Sequence, residues 1–332
     1  MPRKLPAIIA ALMVAALAPA PAQAYTAIYA FGDSLSDVGN VFGATGGAIP
    51  GAPYANGQFS NGPVWVQDLA QLAGLSLLTP SGPPGHSTGG TDYAWGDATT
   101  GYSGTLNSPN VPPTANLQVA QFLSDHGAAP KGGLYTFTLG ANDVNNILNG
   151  LNTGPSPAVD LAGAAFAEAT EITQLAQAGA RNFIVALVPD LGLTPQARAL
   201  GPAAQLAASQ AAFAYNSLLE QDLSTLTASL HGSLHFLDTF SWLDKAVADP
   251  TSVGLPLGAN VTDPCYTGPY TGGGTACSNQ NSYIFWDQLH PAAAVDALLA
   301  EQAWALAPSP SPGAGFASLG LLLLIGLTRK WV

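Results

Sequence analysis

Short apolar runs rich in β-branched and aromatic residues alternate along this chain with longer stretches of helical period. Tyr25 to Phe31 is the first run, and it ends in Gly32-Asp33-Ser34, residue types that favour a sharp turn. Leu134 to Leu139 is a second, Asn182 to Pro189 a third and Leu234 to Asp238 a fourth. The third is apolar throughout, as in a parallel sheet buried on both faces. Thr91 to Thr99 reads as a shorter strand with a turn at Gly96. Val64 to Ala73 carries apolar residues at helical spacing behind Pro63, a residue suited to a helix start. Helices are also predicted over Asn116–His126, Ala162–Ala178 closed by Gly179, Pro202–Leu226 and Pro291–Leu306. The repeated order strand, helix, strand predicts a three-layer α/β domain around a parallel sheet. Residues 43 to 62 are glycine-rich and without period, and read as a loop over whatever the first strand presents.

The two ends follow different rules. Arg3 and Lys4 precede the apolar run Ile8 to Leu17, and small residues stand at Ala22 and Ala24, the pattern of a secretory signal peptide over 1–24. The run is short for a membrane anchor. A folded domain over 25–307 is then expected, followed by a proline-rich linker and an apolar segment over 308–332 that closes with Arg329 and Lys330. Four of the eight Lys and Arg residues lie in these ends, so the domain carries four basic residues against 20 Asp and Glu. That balance excludes a nucleic-acid surface and disfavours docking on anionic phospholipid. Cys265 and Cys277 share one glycine-rich loop of a chain expected to be exported, which points to a disulfide worth about 3 kcal/mol. Zinc would need more ligands than that loop supplies.

The candidate chemistry lies where strands end. Ser34 follows the first strand, where an open α/β sheet faces its ligand crevice, and a helix begun next to it would aim free N–H groups at an oxyanion. Taken alone, Gly-Asp-Ser-Leu is equally a polar turn. Asn142, in Gly140-Ala141-Asn142-Asp143 after the second run, is a neutral donor suited to an oxyanion; Asn142 or Asp143 could instead cap a helix. Gly96 lets a backbone N–H approach a bound oxygen, or serves its turn alone. Asp287 and His290 are three apart, so the carboxylate can hold one ring nitrogen and leave the other as a base. Gly85-His86-Ser87-Thr88-Gly89 matches a nucleophile-elbow pattern literally, yet no strand or helix flanks it, and it reads as a flexible loop with Ser87 as the rival nucleophile.

Phe31-Gly32-Asp33-Ser34-Leu35-Ser36-Asp37-Val38-Gly39-Asn40, Gly140-Ala141-Asn142-Asp143 and Asp287-Gln288-Leu289-His290-Pro291 occur in the order of the GDSL or SGNH hydrolases, which nearly the whole domain resembles. The resemblance implies a flavodoxin-like three-layer α/β/α sandwich with a mainly parallel, five-stranded sheet. It implies Ser34 as nucleophile, His290 as general base, Asp287 as its orienting carboxylate, and an oxyanion hole from the Ser34 N–H, the Gly96 N–H and the Asn142 side chain. The implied function is a secreted serine esterase or lipase acting on a small-molecule or lipid ester without metal or other cofactor. The alternatives are a carbohydrate O-acetyl esterase of the same fold and a non-catalytic surface carbohydrate-binding protein. Residues 308–332 resemble the PEP-CTERM surface-sorting signals, with Pro308-Ser309-Pro310 where that class has Pro-Glu-Pro, and a C-terminal membrane anchor is the other reading. Both place the protein outside the cytoplasm, handled by membrane or cell-surface machinery.

Overall fold

The computed structural model describes residues 25–102, 112–151 and 154–307; the expected signal peptide and C-terminal segment lie outside these. Strand β1 (Ala27–Gly32) is followed by the short helix α1 (Asn40–Ala44), the helix α2 (Trp65–Leu72) and the helix α3 (Ala115–His126). Strand β2 (Gly133–Thr138) leads to α4 (Ala141–Leu148) and α5 (Pro157–Ala178), and β3 (Asn182–Ala186) to α6 (Pro195–Ala199) and α7 (Pro202–Ser229). Strand β4 (Ser233–Leu237) leads to α8 (Thr239–Ala248). The chain then passes through the small strands β5 (Asn260–Pro264), β6 (Tyr266–Thr267), β7 (Thr275–Ala276) and β8 (Tyr283–Phe285) before α9 (Ala293–Leu306).

β1 to β4 form a parallel sheet in sequence order. Strand periodicity sends Tyr29, Phe31, Tyr135, Phe137, Phe183 and Val185 to one face, where they join α3, α5 and α7 in the main core. Tyr29 stacks on its register partner Tyr135 at 5.4 Å, and Phe31 on Phe137 at 5.0 Å. Such cross-strand aromatic pairs tie neighbouring strands together beyond their backbone bonds. Ile28, Ala30, Leu134 and Ile184 alternate with them and are equally buried, as a sheet covered on both sides requires. On that side α2 and α9 pack together, touching β1 and β4 respectively.

The sheet has four regular strands where five were expected. The fifth position, beside β1, is taken by residues 91–95, which run alongside through Ala30 N–H to Thr91 O, Tyr93 N–H to Ala30 O and Trp95 N–H to Gly32 O. Only Asp92 forms a ladder bridge there, with Ala30 on one side and Pro80 on the other. Proline brings no N–H, so a regular ladder cannot continue through it. The predicted helices are present with small shifts. α5 begins earlier than expected, at Pro157, because Ser156 caps it by accepting from Val159 N. Helix α8 was not anticipated; Asp238, read as the end of a strand, is its cap and accepts from Ser241 N.

One feature of the sheet prepares the site. Gly32, Thr138, Ala186 and Leu237 are mutual register partners, so the carboxyl ends of all four strands stop in one row. A loop leaving that row opens onto the same edge.

Candidate active site

Ser34 stands one turn beyond β1. Asp33 donates its N–H to Thr138 O at 3.0 Å, and its carboxylate accepts from Leu35 N at 2.9 Å, which folds the chain sharply at the serine. The helix expected next to Ser34 begins only at Asn40, and its leading N–H groups do not aim at the serine. Asp37 collects them instead: Gly39 N at 2.8 Å, Asn40 N at 2.6 Å and Val41 N at 3.2 Å. The Asn40 amide donates to Asp92 O at 2.9 Å and Ala94 O at 2.8 Å. The acidic and amide residues around Ser34 thus lock the turn to the neighbouring 91–95 segment.

Asp287 and His290 follow β8 in a tight turn rather than a helix. One carboxylate oxygen, Oδ1, accepts from Leu289 N at 2.8 Å and His290 N at 2.7 Å. The other, Oδ2, meets His290 Nδ1 at 2.8 Å, and His290 Nε2 lies 2.8 Å from Ser34 Oγ. Residues 256 positions apart are thereby joined, and Ser34, Asp287 and His290 are 8%, 4% and 2% exposed. Burial alone would lift the Asp287 pKa, but the facing imidazole and the bonds it receives hold it below the usual carboxylate value. Burial likewise opposes charge on His290, yet the Asp287 carboxylate raises its pKa above the ordinary imidazole value. Phe59 stacks on the ring at 5.3 Å between centroids and limits its tilt. Asp33, the residue before the nucleophile, is pushed up to about 7, mainly by burial.

Beside this trio opens an apolar cavity of about 70 Å³ that Ser34, Asn142 and His290 share with Thr138, Ala186 and Leu237 at the strand ends. Trp242, Leu243 and Leu299 line it as well. An apolar cleft with a few convergent polar groups is the usual form of a small-molecule site. Asn142 reaches the cavity because Gly140 turns the chain at φ +89°, where a Cβ would lie 2.4 Å from the Tyr215 ring. Neither Asn142 nor Asp143 caps α4: the Asn142 amide donates one hydrogen to Ala98 O at 2.8 Å while the residue lines the cavity, and Asp143 binds Thr100. No acceptor among the described residues takes the Ser34 N–H. Gly96 departs from expectation. Its N–H is donated to Asp37 Oδ2 at 2.8 Å, and it does not line the cavity. What its missing side chain provides is room for Phe59, whose ring a Cβ would meet at 2.5 Å.

The family profile described as GDSL-like Lipase/Acylhydrolase matches residues 28–303. The chain belongs to this family. A Pseudomonas putida relative described as an uncharacterized protein is 29% identical over 88% of this chain, which spans only 50% of that relative's length. A phosphatidylcholine-sterol acyltransferase of Aeromonas hydrophila is 26% identical over 84% of this chain and 89% of its own. Among solved structures, an aryl esterase of M. smegmatis aligns over 85% of this chain and 98% of its own with a TM-score of 0.42 and 16% identity.

In this GDSL chain the rival Ser87 sits in an exposed loop and donates to Asp125 Oδ2 at 2.9 Å, with neither strand nor helix at its flanks. Tyr93 shares that carboxylate at 3.1 Å and stands between it and His126. Cys265 and Cys277 form a disulfide. It closes a loop whose Tyr266 stacks on Trp286 at 5.5 Å, directly before Asp287. No cluster of His, Cys, Asp and Glu among the described residues could hold a metal ion. Sequence reasoning missed Tyr54 and Phe59, both from the loop over 43–62, which touch Asp287 and His290. Only an aromatic residue in an otherwise small-residue loop hinted at either.

Proposed function

We propose that this protein cleaves carboxylic esters with apolar acyl groups through a serine ester. The observation that carries the reading is the 2.8 Å approach of His290 Nε2 to Ser34 Oγ while Nδ1 engages Asp287. Ser34 Oγ attacks the ester carbonyl carbon as its proton passes to Nε2, and the carbonyl π pair becomes an oxyanion facing the Ser34 N–H and the second Asn142 amide hydrogen. Collapse of the tetrahedral adduct breaks the bond to the alcohol, which leaves with the Nε2 proton. Water, deprotonated by the same nitrogen, then attacks the acyl-enzyme; collapse of this second adduct breaks the bond to Ser34 Oγ, which takes back the proton from Nε2, and the acid is released. The route needs no metal or organic group. The apolar cavity beside Ser34 supports an acyl chain over a bare acetyl group, and the name of the Aeromonas relative fits a lipid ester. Export through residues 1–24, and handling of residues 308–332 by surface-sorting or membrane machinery, belong to the same proposal.

Hydrolysis of nitrophenyl esters from acetate to decanoate, with wild type beside Ser34→Ala and Ser87→Ala, tests it. Wild type and Ser87→Ala should turn over, and Ser34→Ala should lose at least about three orders of magnitude in kcat. Full activity in Ser34→Ala would end the proposal, and loss confined to Ser87→Ala would move the nucleophile to the other loop.

A further inference from the structure

The Asp287 carboxylate is bonded on all sides. A carboxylate offers about four acceptor positions, and here Leu289 N, His290 N, His290 Nδ1 and the Tyr54 hydroxyl occupy them, the last at 2.6 Å. Three of these donors come from the turn that carries Asp287 itself. Tyr54 is the one that arrives from elsewhere, 233 residues earlier in the chain. Its ring is held in an aromatic cage, edge-on to Tyr266 at 5.3 Å and to Trp286 at 6.0 Å, with Tyr270 at 5.9 Å. Gly51 N–H donates to Tyr270 O at 2.7 Å, and Tyr54 N–H to Gly51 O at 3.1 Å, so the tyrosine's backbone is anchored to the loop closed by the disulfide. Tyr54 is 5% exposed, so water does not readily replace its hydroxyl.

We propose that Tyr54 is a positioning residue for the reaction: its hydroxyl fixes Oδ2 of Asp287 against Nδ1 of His290 and thereby sets both the aim of the imidazole and its basicity. The proposal rests on the ester-hydrolase reading for its effect on turnover, but the link itself is a property of the folded chain. A phenol donating to the carboxylate disperses part of its charge. Without that donor the carboxylate pairs more strongly with the imidazolium, so His290 should hold its proton to higher pH. It should also swing more freely, since Oδ2 loses the partner outside its own turn. The other titratable groups facing the pair are Asp33 before the nucleophile, Tyr270 beside the ring and Ser34 itself, with Asp97 acting on Asp33 and Tyr270. Among the described residues none of them bonds Asp287.

The test compares full-length wild type, Tyr54→Phe and Tyr266→Phe. The Tyr266 hydroxyl, in the same cage, donates to Pro269 O at 3.0 Å and does not bond Asp287. The readouts are the NMR titration of the His290 ring and the pH dependence of kcat/KM on a nitrophenyl ester. In Tyr54→Phe the His290 titration and the acid limb should move together to higher pH by about half a unit or more. At the pH optimum kcat should fall roughly tenfold, with KM held within about twofold. Tyr266→Phe should move neither curve. Coincident curves for wild type and Tyr54→Phe, or an equal shift in Tyr266→Phe, would overturn the proposal. In wild type, the Tyr54 hydroxyl proton should exchange slowly and show a cross-relaxation contact to the His290 Nδ1 proton; its absence counts against the link even should the variant not fold. A shifted titration in a protein without Ser34-dependent turnover would leave the link standing and defeat the hydrolase reading. Ser34-dependent turnover with an unmoved titration would do the reverse.

Discussion

Replacing Asp287 by Asn keeps the size of the side chain and changes which atoms donate. In the native site both oxygens only accept, with two backbone N–H groups on Oδ1 and the Tyr54 hydroxyl and His290 Nδ1 on Oδ2. An amide can satisfy the backbone pair with its oxygen, which turns its NH2 toward His290. The ring must then accept at Nδ1 and carry its hydrogen on Nε2, the atom 2.8 Å from Ser34 Oγ. A protonated Nε2 cannot take the serine proton, and the charge that steadies the imidazolium is gone as well. If the proposed serine-ester route operates, comparison with established serine triads puts the loss in kcat at about four orders of magnitude, or some 5 kcal/mol of barrier. Stopped-flow and steady-state hydrolysis of a nitrophenyl ester by Asp287→Asn, with folding checked by circular dichroism, measures it, and KM should stay within about threefold because Asp287 does not line the cavity. A kcat within tenfold of wild type would refute the tautomer reasoning.

Three further outcomes follow from other parts of the molecule. Gly96→Ala keeps the N–H but drives a methyl group into the Phe59 ring 2.5 Å away, so it should cost roughly 1–3 kcal/mol of stability, read by denaturant unfolding; an unchanged midpoint would mean that Phe59 yields freely. Ala186→Val narrows the cavity at the end of β3 and should lower kcat/KM for octanoate about tenfold or more relative to acetate; parallel changes on both esters would remove the acyl chain from that cavity. Burial pushes Glu168 up to about 8, while its bond from the Tyr215 hydroxyl pulls the value down. With the folded pKa above the unfolded one, its contribution to stability is full below about pH 4 and is lost as pH rises through 8. Glu168→Gln should therefore gain stability relative to wild type between pH 5 and 9; a constant difference across that range would show that the carboxyl does not titrate there.

Much of this was legible in the sequence, and for a physical reason. Four apolar runs ending in Gly-Asp-Ser, Gly-Ala-Asn, a proline and an aspartate mark strands that stop at one edge, and a parallel sheet brings such edges together whatever the distance along the chain. Asp287 and His290 were readable because their pairing is local. Gly96 was misread because the acceptor of its N–H, Asp37, lies 59 residues away and belongs to a turn that looked like the start of a helix. The fifth strand was overestimated because Pro80 faces Asp92, a pairing invisible in the 91–99 pattern. Tyr54 left no periodic signal at all: its position is set by loop-to-loop contacts, and its partner is on the far side of the sequence. Residues of that kind are found only once the fold has placed them.

The most direct check is chemical trapping of the nucleophile. The full chain, treated with an alkyl phosphonate ester until turnover stops, should carry one covalent label, and tandem mass spectrometry should locate it on the peptide containing Ser34, with Ser34→Ala left unlabelled. A label on Ser87 or elsewhere, or inactivation without any label at Ser34, would contradict the account.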